Sequence, residues 1–385
     1  MGIYLNPGNE LFAEAVRSEI YVDKTGLIKN TNRVLGTSQK FVCVSRPRRF
    51  GKSMAANMLA AYYGKACDSQ QLFSKFEIAA DPDFQEHLNR YHVIFLNMQR
   101  MLSRGKSVEG MLQYMQHAVL EELLREFEGQ LPVNETVLSI ALEKLYQNTG
   151  EKFVFIIDEW DCVFRTGQII DEAQTMYLDF LRDLLKDQPY VILAYMTGIL
   201  PIKKYGTHSA LNMFDEYSMT SPRNMATYIG FTEDEVRALC EKYGMDFDAM
   251  KNWYDGYSFS KVSHIYNPKS VVDALRAGEF ASYWTQTETY EALKIYIDIN
   301  HDGLKDAIIE MLVGTSVCIS TERFQNDMTT LGSRDDVLTL LIHLGYLAFD
   351  KETSSVRIPN AEIRGEFQNA IEGDRWDDVI ERMKK

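Results

Sequence analysis

The chain has 385 residues, 45% hydrophobic and 25% charged, with a formal net charge of −14 at pH 7. That is the composition of a globular protein long enough for two or three domains. The acidic balance works against general nucleic-acid binding, whose sequence-independent affinity comes from lysine and arginine neutralising phosphates. No apolar run approaches the roughly 18 residues that a membrane helix needs. MGIYLNPGNELF at the start lacks the basic-then-apolar order of a signal peptide. Five cysteines without C-x-x-C spacing read as thiols of a reducing, cytoplasmic compartment. The seven histidines form no H-x-x-x-H cluster, which argues against a protein-bound transition metal.

In chain order, the first β-rich apolar segment is FVCVS (41–45), followed by a basic loop and the helical stretch SMAANMLAAYY. HVIFLN (92–97) is the second strand, and SVEGMLQYMQHAVLEELLREF the next long helix. FVFIID (153–158), the helix AQTMYLDFLRDLLK and YVILAYMT (190–197) complete the series, with a weaker fifth strand at 216–219. Near-continuous apolar strands alternating with helices are what a parallel sheet covered on both faces demands. The expectation is an α/β fold with a doubly wound, mostly parallel sheet over residues 1–224, including an N-terminal segment 1–40. Beyond it, Thr232 to Glu235 has the pattern of a capping box opening a helix. Asn267-Pro268 starts another helix within a helical lid over 225–300. In 301–385, helices end in one opened by Ser333, followed by the short strands YLAF and VRI, a winged-helix-like module. Ten Lys/Arg against sixteen Asp/Glu in that module favour a scaffold over a DNA reader.

The chemistry sits at Arg46-Pro47-Arg48-Arg49-Phe50-Gly51-Lys52-Ser53, which ends as a phosphate-binding loop does but carries Arg46 where the first glycine of G-x-x-x-x-G-K-[ST] belongs. A strand runs into the loop and a helix begins at its end, so backbone N–H groups and the positive helix end converge on one spot. A second triplet, Gly105-Lys106-Ser107, has apolar residues in its approach and no shaping glycine or proline, and reads as a decoy. The run FVFIIDEWD ends in Asp158 and Glu159: a carboxylate at a strand tip beside a phosphate loop holds Mg²⁺, and its neighbour orients the attacking water. By itself the same string, with Asp161, also describes a solvated strand end. Thr197 has two readings, a hydrogen bond to the γ-phosphate or water, and a simple strand cap. Lys203 and Lys204 are either positive charge for the leaving phosphate or a solvated loop. No lysine follows Asn or Thr, so the guanine motif [NT]-K-x-D is missing and ATP is the expected nucleotide.

With these residues the sequence resembles the bacterial and archaeal AAA-ATPase-like family, a STAND-type branch of P-loop ATPases often fused to a PD-(D/E)xK nuclease-like domain. The resemblance covers nearly the whole chain: YVDKT, SRPRRFGKS, FIIDEWD, TG at 197–198, GFTEDE, WYDGY and YNPKSV. RPRRFGKS is that family's own form of the loop, with Pro47 stiffening the turn. The resemblance implies a P-loop NTPase that binds ATP and Mg²⁺ through Arg46, Arg48, Arg49, Phe50, Gly51, Lys52, Ser53 and Met54. It assigns metal binding to Ser53 and Asp158, and catalysis to Glu159 with Lys52 and Thr197. Tyr21 and Asp23 are placed near the adenine. No lysine has Asp or Glu two residues before it, so the nuclease motif is missing and no nuclease activity is expected. The expected function is ATP hydrolysis whose nucleotide state moves the C-terminal module, with a protein partner docking there and oligomer formation possible. The alternatives are a slow nucleotide switch and a DNA-binding regulator.

Overall fold

The computed structural model describes the chain apart from residues 166–170, 203–210, 260–261, 285–302, 326–330 and 373–385. Its contacts divide it into two units. Among the described residues, the first holds Met1–Ser45 and Lys52–Tyr217; the second holds Arg46–Gly51, Ser218–Gln325 and the described residues after 330.

The first unit is built on five strands: β1 (Phe41–Ser45), β2 (His92–Asn97), β3 (Phe153–Asp158), β4 (Val191–Gly198) and β5 (Asp215–Tyr217). They lie in the order β2-β3-β4-β1-β5, and every neighbouring pair is parallel. All of β1 and all of β3 are buried, which requires cover on both faces and explains why these strands read as unbroken apolar runs. Burying each Phe, Ile or Val of β3 contributes roughly 1.5–3 kcal/mol relative to exposure. Three strands have the expected bounds. β4 lies one residue later than expected, and β5 covers Asp215–Tyr217 instead of 216–219, because its ladder with β1 ends at the Val44–Tyr217 pair. The helices Lys52–Tyr63, Val108–Glu126 and Asp171–Leu185 occupy the helical stretches between the strands. The β1 strand, loop and helix, with β4 lying between β1 and β3, make this a P-loop NTPase fold.

The decoy triplet has a plain structural role. Lys106 adopts a left-handed conformation (φ 62°) that ends the helix Met98–Gly105, and the Ser107 hydroxyl caps the next helix by accepting from the Gly110 N–H at 3.0 Å.

In the second unit, β6 (Phe231–Thr232), β7 (Tyr257–Phe259) and β8 (Val262–Tyr266) form an antiparallel sheet. A second antiparallel sheet joins β9 (Val317–Cys318), β10 (Ala348–Asp350) and β11 (Ser355–Arg357). The helix starts follow the sequence signals. Thr232 and Glu235 form a reciprocal capping box, Asn267 caps a helix with proline in its first turn, and Ser333 caps Arg334–Leu344. That last helix and the β10–β11 hairpin give the expected helix–hairpin order of the C-terminal module.

Candidate functional site

The site grows from the register of the sheet. Asn97 on β2 pairs with Asp158 on β3, Asp158 with Thr197 on β4, and Thr197 with Val44 on β1. Three polar side chains therefore stand in one row at the carboxyl ends of parallel strands, where open α/β sheets bind ligands. Asp158 is 1% exposed and accepts from the Ser53 hydroxyl at 2.7 Å and the Asn97 amide at 3.2 Å. The Glu159 N–H reaches its other oxygen at 3.1 Å. Burial holds the Asp158 carboxyl above its ordinary range, and the Ser53 bond opposes that shift. Asn97 carries no sequence signal beyond being the one amide that ends an apolar strand.

Lys52 opens the helix and is buried at 5% exposure. Burial pulls its ammonium below the ordinary lysine range, while the Glu159, Asp161 and Asp158 carboxylates work to keep it charged. Glu159 sits in a left-handed conformation (φ 55°, ψ 39°), and its carboxylate lies 2.6 Å from the Arg165 guanidinium. Burial alone would depress Arg165. Asp161 and Glu159 more than offset it and hold the guanidinium above its usual range.

The solvated-strand-end reading of this string fails at Asp161, which is fully buried. Its Oδ2 accepts from the backbone N–H groups of Ile199 and Leu200 at 3.0 and 2.8 Å, fixing the chain as it leaves β4. Gly198 has a matching reason. A Cβ there would lie 2.6 Å from Asp161 Oδ1 and 2.7 Å from the Trp160 ring, so only glycine lets the two segments close. The Thr197 hydroxyl is fully buried and has no hydrogen-bond partner among the described residues. A buried polar atom of that kind, at a strand tip beside Asp158, is what a bound oxyanion or water would satisfy.

The phosphate loop needs no glycine at Arg46. Its left-handed positions are Arg49 (φ 68°) and Gly51 (φ 93°), and Arg46 is not one of them. Such turns direct successive N–H groups into an anion-binding concavity. The loop side chains, Arg46–Gly51, belong to the second unit. Arg46 is fully buried with its guanidinium 5.1 Å from the Phe259 ring centre, Phe50 packs edge-on against Tyr257, and Arg49 donates to the Tyr283 carbonyl at 3.2 Å. Arg48 is half-buried and Met54 is 45% exposed. Tyr21 packs against Phe12 and Phe76, and Asp23 accepts from the N–H groups of Thr25 and Glu77. Those contacts tie the N-terminal segment to the stretch around Phe76 and Glu77. Lys203 and Lys204 lie outside the described residues.

The donor set suits Mg²⁺ in one respect. No group of three or more His, Cys, Asp or Glu among the described residues can hold a metal ion. Ser53 and Asp158 supply one hydroxyl and one carboxylate, which suits a cation that keeps water and takes its other ligands from nucleotide phosphates. No helix among the described residues is long and apolar enough to cross a membrane.

Comparison with known proteins bears on this geometry. An uncharacterised protein encoded 5′ of vnfD in Azotobacter chroococcum is 27% identical over 378 residues, 91% of this chain, and the chain spans 66% of that relative's length. The Walker-type ATPase PABY2304 of Pyrococcus abyssi superposes with a TM-score of 0.44 at 12% identity, covering 90% of this chain and 94% of its own. The ORC2 protein of Aeropyrum pernix, in ADPNP–ADP complexes, gives 0.39 at 12%, covering 99% and 100%. At such scores the likeness adds nothing to the fold assignment, which the strand order and the phosphate loop carry. The model of the predicted AAA-ATPases matches residues 10–207, more than half of the chain. With the loop at Lys52 and the Asp158-Glu159 pair inside that span, the chain belongs to the AAA-ATPase-like family.

Proposed function

We propose that this protein is a Mg²⁺-dependent ATPase that converts ATP and water to ADP and phosphate. The observation that carries the reading is the Ser53–Asp158 hydrogen bond at the helix start, beside buried Lys52 and in line with Asn97 and Thr197. Lys52 and the loop N–H groups bind the phosphates, and Ser53 with Asp158 would hold Mg²⁺. When bound, Mg²⁺ neutralises charge on the β- and γ-phosphates. Glu159 orients the attacking water and accepts its proton as the water oxygen bonds to the γ-phosphorus and the ADP oxygen leaves. Thr197 donates to the γ-phosphate or positions the water. The nucleotide state moves the second unit, within which we place a helical lid (225–300) and a winged-helix-like module (301–385) that docks a protein partner. Support for this coupling is that Arg46–Gly51 belong to the second unit while the residues on either side, up to Ser45 and from Lys52, belong to the first. We propose no nuclease activity, for want of a [DE]-x-K lysine.

A second reading, a STAND-type switch that holds nucleotide and turns over rarely, is favoured by one observation. Glu159 is already paired with Arg165 at 2.6 Å, so that pair has to rearrange before the carboxylate can serve water. Single-turnover hydrolysis by purified protein tests both. Turnover at or above about 1 s⁻¹ with Mg-ATP supports the enzyme. Tight binding with far slower cleavage supports the switch, and no binding of Mg-ATP sinks both.

A further inference from the structure

In the WYDGY segment Tyr257 packs against Phe50 of the phosphate loop, while Asp255 and Gly256 build one wall of a separate cavity of about 590 Å³ within the second unit. That size falls in the range of small-molecule sites. Its lining includes Lys251, Asp255, His264, Arg357, Asn360 and Arg364, three cations against one carboxylate in a chain of net charge −14.

The wall is closely built. Gly256, at φ +127°, lies so near the 357–360 segment that a Cβ would stand 2.3 Å from the Pro359 carbonyl oxygen. Arg357 donates to the Gly256 carbonyl at 3.0 Å, and Asn360 to the Asp255 carbonyl at 2.8 Å. Asp255, 7% exposed, pairs through Oδ2 with His264 Nδ1 at 2.6 Å. His264 adopts φ +71°, a strained conformation for a residue with a side chain, and its Nε2 lies 3.6 Å from Glu233. Glu233 also takes Lys251, at 3.1 Å. The second oxygen of Asp255, Oδ1, is buried with no hydrogen-bond partner among the described residues. Backbone strain and an unmet acceptor at a polar concavity are features that binding sites retain and structural cores remove.

We propose that this cavity binds a small phosphorylated molecule bearing a hydroxyl or amino group, distinct from the nucleotide held by Lys52. The phosphate faces Arg364, Arg357 and Lys251, and the hydroxyl or amine donates to Asp255 Oδ1. A bare oxyanion would leave that acceptor unmet and much of the volume empty, so pyrophosphate is the weaker ligand. An uncharged polyol would bring no negative charge to a lining of three cations and one carboxylate.

The test is calorimetric titration of ribose 5-phosphate, AMP, pyrophosphate and ribose into the full chain carrying Lys52→Ala, in which the phosphate loop is disabled. Ribose 5-phosphate or AMP is expected to bind at least tenfold more tightly than pyrophosphate, and ribose not at all. Adding Lys251→Gln or Asp255→Asn is expected to weaken that binding at least tenfold. Circular dichroism checks that each variant is folded, and Lys251→Gln, at the cavity's more exposed edge, is the variant least exposed to misfolding. The proposal is overturned if neither ribose 5-phosphate nor AMP binds the Lys52→Ala chain, or if binding is unchanged in the folded Lys251→Gln variant.

Discussion

The edge of the parallel sheet in the first unit and the cavity of the second unit both gather buried charge, but they compensate it differently. Around Lys52 each carboxylate has a hydrogen-bond donor or a cation close by: Asp158 has Ser53 and Asn97, Glu159 has Arg165, and Asp161 has two backbone N–H groups. Left over there, without a hydrogen-bond partner among the described residues, are the Thr197 hydroxyl, Asp161 Oδ1, Arg165 Nε and Trp160 Nε1, acceptor and donors together. Around Asp255 the cations outnumber the carboxylates lining the space, three to one. A site whose charges are balanced in advance suits a reaction in which charge must be steered. One with an excess suits capture of a ligand that brings the missing sign.

The sharpest way to break this contrast is Lys52→Ala. It is expected to abolish ATP binding, because the phosphate oxygens lose the point charge at the helix start. Thermal shift with and without Mg-ATP reads the effect, and a variant stabilised as much as the parent would place the nucleotide elsewhere. Lys106→Ala, at the left-handed end of a helix, is expected to leave ATP binding unchanged.

Glu362 sharpens the second-unit side. Its carboxylate accepts from the Tyr283 and Trp284 N–H groups and the Ser270 hydroxyl, yet burial raises its pKa to about 7. A carboxyl whose folded pKa exceeds its unfolded value binds more protons when folded, so stability falls as pH rises between the two. From about pH 4.5 to about pH 7 the chain is expected to lose up to about 3 kcal/mol that Glu362→Gln does not lose. Denaturant unfolding at about pH 5 and about pH 8 measures this. Equal pH slopes in parent and variant would mean that the hydrogen bonds fully compensate the buried charge.

Glu159→Gln comes next. It is expected to keep ATP affinity and slow hydrolysis at least about tenfold, since the water loses its orienting carboxylate. Asp158→Asn is expected to weaken Mg-dependent affinity instead. Unchanged turnover in both variants would reduce the row at the sheet edge to architecture.

The two regions also differ in how far the sequence announces them. Strands buried on both faces are contiguous apolar runs, so β1, β2 and β3 could be bounded to the residue, and their polar tips placed Asp158 and Thr197 in one row. The helix caps at Thr232, Asn267 and Ser333 are local signals and were equally readable. Pairing across strands is not local. Asn97 joins Asp158 only through the register of β2 with β3, and Arg165 meets Glu159 only through the turn between them. Tyr21 and Asp23 had no local signal of a role, and they pack and bond against Phe12, Thr25, Phe76 and Glu77. The Asp255 cavity draws on residues about a hundred positions apart, joined by backbone bonds that no residue pattern encodes.

The smallest effect is expected at Thr197, where the two readings of that residue separate. A buried hydroxyl without a partner contributes little to folding, and replacing it with a methyl group of the same shape is neutral or slightly stabilising, within about 1 kcal/mol. Thr197→Val should therefore leave the melting temperature of the nucleotide-free protein unchanged or slightly raised. If the hydroxyl serves the γ-phosphate or the water, the same change slows hydrolysis roughly three- to tenfold, the cost of one neutral hydrogen bond made in the transition state. A simple strand cap gives the reverse pattern, a lower melting temperature with turnover intact. Measuring both quantities on one preparation decides between them, because the Thr197 side chain lies beside Asp158 and Val44, and valine fills its place without displacing either.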